Sequence, residues 1–375
     1  MGARAWTDAL SLDIPCGRSG LVPERGDRDV LLPLRPRGRR SLHERPGPVS
    51  PVPYVGHQRV SLARITSLHH VTSIVGDAQE DLDFYAGRLG LRLLKRTVNF
   101  DDTSVFHFYY GDGVGTPSTI MTTFPYTGRG MSGGQEGAGQ ITRIAFSAPP
   151  GSLAFWKGRL DEAGHRCGEF VTDFGEEGLS ISDPSRLALE LVEGEDDVRT
   201  KPWTPGGIET EVALRGLHHI TLTVRSPERS ADFLTQALGF EVAGDRGSHI
   251  RLGVAERGPG QLVELVPSQN APTARNGLGT VHHVAFSVPT DEAQLEFREK
   301  LLSMGWPVTE VRDRQYFRSI YFPEPGGVLF EIATAGPGFA IDEAASRLGG
   351  ALKLPPWEEP NRGSIEEQLP AVRPP

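Results

Sequence analysis

The sequence predicts an α+β protein made of four βαβββ modules that together form two barrel-like cavities. Three observations predict it. A β-branched, alternating run recurs four times, each copy leads into an amphipathic helix and further strands, and no single module is large enough to stand alone. The runs are Leu68-His69-His70-Val71-Thr72-Ser73-Ile74-Val75, Gln140-Ile141-Thr142-Arg143-Ile144-Ala145-Phe146-Ser147, Leu217-His218-His219-Ile220-Thr221-Leu222-Thr223-Val224 and Val281-His282-His283-Val284-Ala285-Phe286-Ser287-Val288. With the second histidine as marker, the copies sit at 70, 143, 219 and 283, where 143 is Arg143 and its neighbour is Thr142.

In chain order, residues 1–64 form a leader rich in Arg, Pro and Gly, with Arg35-Pro36-Arg37-Gly38-Arg39-Arg40 and Pro46-Gly47-Pro48, and no sustained period. Such a stretch is expected to be disordered. A transit peptide is disfavoured by Asp27 and Asp29 and by the lack of an amphipathic helix, no apolar segment suits a secretory signal, and a start near Val60 fits equally well. Residues 65–205 hold modules 1 and 2, and residues 212–335 hold modules 3 and 4. Each opens with its alternating strand. The helix of module 3 begins at Ser226-Pro227, a cap residue and a first-turn proline, and carries Phe233, Leu234, Ala237 and Leu238. That of module 4 spans Ala293 to Met304, ahead of Gly305. Closing strands follow at Leu187–Leu191, Gln261–Leu265 and Val328–Ile332. Gly111 to Gly115 lacks the Lys-Ser/Thr of a phosphate loop and is expected to be a hairpin turn. Each module spans about 55 to 65 residues and must pair with another to close a curved sheet. Residues 336–375 form a strap, Leu354-Pro355-Pro356-Trp357, and a short helix near Ile365 whose apolar residues dock on the body.

Composition narrows the function. The chain has 375 residues, 38% hydrophobic and 23% charged, without a run of about 18 apolar residues, so a bilayer span is not expected. Two cysteines, Cys16 and Cys167, cannot build a disulfide framework or a thiolate cluster, which favours a cytoplasmic location and leaves histidines and carboxylates as the donors for any metal. The leader holds eleven Arg and six acids, so the net charge of −9 conceals a body near −14, an unsuitable ligand for nucleic acid.

Six of the eleven histidines fall in three adjacent pairs at one position of a repeated strand. Neighbouring strand residues face opposite sides, so the second of each pair is expected in the cavity and the first turned away. Glu190, Glu264 and Glu331 follow their markers by 47, 45 and 48 residues on buried strands, where an unpaired carboxylate is costly and a metal is a natural partner. Module 1 has Thr122 there instead, and Thr142 and Arg143 leave module 2 without a histidine ligand. A single strand histidine is ordinarily a satisfied core residue; recurrence of both residue types at matching offsets argues for shared chemistry. Pairing of sequence-adjacent modules would gather His219, Glu264, His283 and Glu331, a donor set suited to a Zn or Ni isomerase. Two histidines and one carboxylate would form the facial triad of a non-haem Fe(II) site.

The modules resemble the vicinal oxygen chelate superfamily, which includes glyoxalase I and the extradiol ring-cleaving dioxygenases. Lys95-Arg96-Thr97-Val98-Asn99-Phe100-Asp101-Asp102, Phe106-His107-Phe108-Tyr109-Tyr110-Gly111-Asp112 and Leu354-Pro355-Pro356-Trp357 look like the hydroquinone-type ring-cleaving members. The resemblance runs from about residue 65 to the C-terminus. It implies a homo-oligomeric Fe(II) enzyme, Mn(II) being the other candidate ion, that opens a small aromatic substrate with O₂. His70, His283 and Glu331 match the metal ligands, Arg314 and Tyr321 match active-site positions, and His282 matches a second-sphere histidine. Tyr321 would donate a hydrogen bond or proton, Arg314 would hold a substrate oxygen or developing negative charge, and His282 would orient a ligand or carry a proton. His107 and Tyr109, alternating with Phe106 and Phe108, fit either the cavity wall or the core. The alternatives are a metal-dependent glyoxalase-like isomerase or lyase using Glu264, and a metal-free protein that binds an aromatic compound or antibiotic.

Overall fold

Alternation of β-branched and aromatic residues with short amphipathic segments produces all four modules in the expected order. The computed structural model describes residues 63–194, 197, 202–247 and 249–373, so the expectations for the leader lie, but for its last two positions, outside the described residues. Module 1 runs β1 (Ser67–Val75), α1 (Ala78–Leu82, continued by a π-helical segment Asp83–Arg88), β2 (Arg92–Asn99), β3 (Asp102–Gly111) and β4 (Ile120–Pro125). Module 2 comprises β5 (Gln140–Ala148), α2 (Leu153–Glu162), β6 (Gly168–Val171), β7 (Glu177–Ser182) and β8 (Ala188–Glu193). Module 3 comprises β9 (Gly216–Val224), α3 (Pro227–Leu238), β10 (Glu241–Asp245), β11 (Ile250–Gly253) and β12 (Leu262–Pro267). Module 4 comprises β13 (Thr280–Val288), α4 (Asp291–Ser303), β14 (Arg312–Asp313), β15 (Arg318–Pro323) and β16 (Leu329–Thr334).

The helix ends differ slightly from expectation. Thr290 caps α4 by accepting from the Ala293 amide, so this helix starts earlier than Ala293. Ser226 precedes α3 but makes no cap bond; its hydroxyl donates to Glu228 instead, at 3.0 Å. Gly239 ends that helix at φ 77°, a left-handed conformation that glycine adopts without strain.

Which modules share a sheet decides which side chains can meet. One eight-stranded curled sheet has the order β14-β15-β16-β13-β1-β4-β3-β2, and the other β10-β11-β12-β9-β5-β8-β7-β6. Module 1 therefore pairs with module 4 and module 2 with module 3, through the antiparallel ladders β1/β13 and β5/β9. Of the sequence-adjacent modules only 2 and 3 pair, and the first module reaches across both of them to the last. Val71, Ile144, Ile220 and Val284, each next to its marker, join one buried apolar cluster, which leaves the marker side of each strand free for polar groups.

The C-terminal segment packs against module 1. Leu354 and Ile365 bury themselves against Val98, Trp357 stands edge-on to Phe100, and the short helix is α5 (Arg362–Gln368). Fully buried Lys95 pairs with Asp342 at 2.7 Å and Glu343 at 2.9 Å, which ties the segment after β16 to β2. No helix among the described residues is long and apolar enough to cross a membrane.

Candidate metal centre

The four marker positions share a backbone irregularity that sets up the site. Along β1/β13 the register slips between Leu68 and His70 and again where His282 lies, between the partners of Ser73 and Thr72. Along β5/β9 it slips at Thr142 and at His218. Each first residue of the repeated dipeptide is thus the extra residue of a β-bulge, which releases it from strict alternation and re-aims its side chain. The expectation that the first histidine turns away is corrected accordingly. His69 Nδ1 lies 2.9 Å from His70 Nδ1, His218 Nδ1 2.8 Å from His219 Nδ1, and His282 Nδ1 2.7 Å from His283 Nδ1.

The second histidines of modules 1 and 4 face each other. His70 Nε2 and His283 Nε2 are 3.2 Å apart. Glu331 Oε2 lies 3.0 Å from His283 Nε2 and 3.5 Å from His70 Nε2. All three residues are buried, Glu331 completely. Among the described residues this is the one group of histidine, cysteine or acidic side chains whose donor atoms converge closely enough for an ion. Ser319 Oγ donates to Glu331 Oε1, yet buried Oε2, for all its closeness to two ring nitrogens, has no hydrogen-bond partner. An orphaned carboxylate oxygen facing two imidazole nitrogens is costly as it stands and is what a cation would satisfy. Separations of 3.0–3.5 Å are those left between three donors each about 2.0–2.1 Å from one ion, so the residues fit a metal.

The electrostatics agree. Burial alone would raise the Glu331 carboxyl, but the His70 and His283 rings beside it pull it well below the ordinary carboxylate range. Burial, with the neighbouring His70 and His283 adding to it, pushes His69 and His282 down to about 3, so both stay neutral at physiological pH. An ion held by His70 Nε2 and His283 Nε2 would leave the proton of these two Nδ1 contacts on His70 and His283, with His69 and His282 accepting it.

Further side chains surround this trio. Thr72 Oγ1 is 2.9 Å from His283 Nε2 and accepts from Thr122 at 2.8 Å, and His107 Nε2 meets the Thr122 hydroxyl at 3.0 Å. His107 therefore belongs to the network around the centre, while Tyr109 packs against Phe317 and Phe339. Phe317 also covers His69 and His70. Tyr321 pairs with Glu331 across β15/β16 and sets its ring edge-on to His283, at 5.8 Å. Arg314 Nε donates to the Tyr321 hydroxyl oxygen at 3.0 Å and Arg314 Nη2 reaches Asp101 at 3.1 Å. Thr72, Ser319, Phe317 and Asp101 carry roles here that spacing did not reveal. Only Thr72 had a usable signal, its place two residues after His70 on the same strand face.

The second sheet repeats the plan with different chemistry. His219 Nε2 lies 3.5 Å from Glu264 and 3.7 Å from Glu190, but the expected metal partner of these glutamates is replaced by arginine. Arg251, opposite Glu264 on β11, donates to Glu264 Oε1 through Nε at 2.9 Å and Nη2 at 2.6 Å, and also holds Glu176. Arg143 stands 3.6 Å from Glu190. By strand order Arg143 takes the place of His70 and Arg251 that of Tyr321. His219 and Glu264 sit in a different sheet from His283 and Glu331, so the four-residue set expected from neighbour pairing does not assemble. Arg251→Met should lower stability by about 3 kcal/mol, because it strands two carboxylates, while metal content stays unchanged. Urea unfolding and elemental analysis check both halves of that expectation.

Residues 67–206 and 216–332 match the family model of the Glyoxalase/Bleomycin resistance protein/Dioxygenase superfamily. A provisionally named ring-cleaving dioxygenase, MhqO of Bacillus subtilis, is 42% identical over 304 residues, 80% of this chain and 95% of that protein. The chlorohydroquinone/hydroquinone 1,2-dioxygenase of Sphingobium indicum is 35% identical over 303 residues, 79% of this chain and 93% of that protein. The crystal structure of a provisionally named Bacillus subtilis dioxygenase superposes with TM-score 0.79 at 40% identity, covering 84% of this chain and 99% of that one. Glyoxalase I from Zea mays, at TM-score 0.54 and 17% identity over 72% of this chain and 92% of that one, shares the fold.

Proposed function

The chain belongs to the Glyoxalase/Bleomycin resistance protein/Dioxygenase superfamily, and from that premise we propose that it is a ring-cleaving dioxygenase of extradiol type that opens a hydroquinone-type ring with O₂. In this reading His70, His283 and Glu331 hold Fe(II), or Mn(II), and the enzyme acts as a cytoplasmic homo-oligomer. The observation that carries the reading is the unpartnered Glu331 Oε2 facing two imidazole Nε2 atoms, with a buried phenol and guanidinium beside them.

When bound, the ion supplies a Lewis acid that lowers the pKa of a substrate hydroxyl and brings the ring and O₂ within reach of each other. The protein supplies the rest. His282 and His69 fix the tautomer and ring orientation of the two histidine ligands. Ser319 steadies Glu331 through its second oxygen. Arg314 donates to the Tyr321 oxygen, so the phenolic proton remains free to reach oxygen atoms at the centre. Burial pushes the Tyr321 hydroxyl above its usual pKa, with Arg314 opposing, so it stays a proton donor. Phe317, the buried rings of Tyr109 and Phe124, and the neutral outer histidines keep the surroundings dry.

Anaerobically reconstituted Fe(II) protein in an oxygen electrode tests this on hydroquinone and its substituted forms. One O₂ consumed per ring, with a product heavier by both oxygen atoms, is expected. Isomerase or lyase activity without oxygen uptake would favour the glyoxalase-like alternative, and tight aromatic binding without turnover or bound metal would favour a sequestering protein.

A further inference from the structure

Polar side chains form a series from the surface to the centre. Asp101, on the turn between β2 and β3, is 33% exposed, Arg314 15%, Tyr321 5% and Glu331 0%. At the outer end one carboxylate serves two cations. Arg314 Nη2 reaches Asp101 Oδ2 at 3.1 Å and Arg312 Nη1 reaches Asp101 Oδ1 at 3.4 Å. Both guanidinium groups also lie over the Tyr321 ring, at 5.3 and 5.9 Å from its centroid. Among the described residues no other carboxylate pairs with either arginine. Asp101 belongs to module 1 and the arginines to module 4, so this ion pair crosses the same junction that assembles His70 with His283 and Glu331.

We propose that Asp101 is a positioning and specificity-determining residue, whose carboxylate occupies the Arg312–Arg314 pair so that the centre takes uncharged hydroquinones in preference to carboxylate-bearing ones. The inference rests on the ring-cleaving reading above. Its physics is competition: a substrate carboxylate arriving beside Tyr321 meets guanidinium groups already satisfied and a like charge already present, and juxtaposed like charges are a strong discriminator. The same carboxylate keeps the Arg314 fork anchored, which holds Arg314 Nε on the phenolic oxygen. Neutralising Asp101 removes the repulsion, frees two cations and loosens the anchor.

Anaerobic calorimetry on Fe(II)-loaded protein, titrated with hydroquinone and with 2,5-dihydroxybenzoate, reads the effect without turnover. Asp101→Asn should raise affinity for 2,5-dihydroxybenzoate relative to hydroquinone by about tenfold or more, an advantage that shrinks as salt is added. Its kcat on hydroquinone should fall more than its KM changes, with metal content unchanged, and Asp101→Glu should restore the wild-type affinity ratio. An unchanged ratio in Asp101→Asn, in protein whose wild-type form binds and oxidises hydroquinone, overturns this inference alone. Wild-type protein that neither binds hydroquinone nor consumes O₂ overturns the ring-cleaving reading and this inference together.

Discussion

Glu331→Gln is expected to lose its ion and its turnover together. The carboxylate is fully buried, its Oε2 faces both imidazoles, and it is the sole anion of the trio. An amide of the same shape can still accept from Ser319 but offers the centre no charge. Loss of an outer partner of a ligand already costs about 10–100-fold in metal affinity, so loss of a direct anionic ligand should exceed about 100-fold. Activity should fall by about a thousandfold or more, since the chemistry that brings ring and O₂ together goes with the ion. Metal content after dialysis and oxygen uptake at saturating hydroquinone measure the two. Metal-free wild type and metal-free variant should unfold at nearly the same temperature, which separates this effect from misfolding. Full turnover with bound metal in Glu331→Gln would reject the assigned ligand.

Tyr321→Phe should leave the ion in place and slow the chemistry. Tyr321 lies beside His283 and receives Arg314 Nε on its oxygen, so the substitution removes one proton donor and strands one buried guanidinium N–H. A positioned acid contributes about 10²–10⁴-fold, and the loss should appear in kcat rather than in KM or metal content. Wild-type kcat in Tyr321→Phe would assign this ring to packing.

Much of the fold was legible because duplication writes the same alternation four times, and that pattern survives wherever one strand face is buried. Pairing was not legible from local physics. Short connections favour neighbouring modules, yet β1 ladders with β13 across 213 residues between His70 and His283. Only the family resemblance pointed to that combination. The bulges were hidden as well. A register slip has no residue signature of its own, so strict alternation turned His69, His218 and His282 away from partners they in fact touch. In the second sheet the glutamate offsets suggested a metal, but charge balance there comes from Arg251 and Arg143, and Arg251 sits on a short strand that periodicity does not distinguish. Asp101 and Ser319 act through contacts between strands distant in sequence, which no spacing within one module encodes.

The most direct test of the account is elemental analysis of protein reconstituted anaerobically with Fe(II), as wild type and as the His70→Ala, His283→Ala and His219→Ala variants. One ion per chain is predicted for wild type and His219→Ala, and close to none for His70→Ala and His283→Ala. A full ion retained by His70→Ala, or an ion lost from His219→Ala, would contradict a centre shared between the first and last modules.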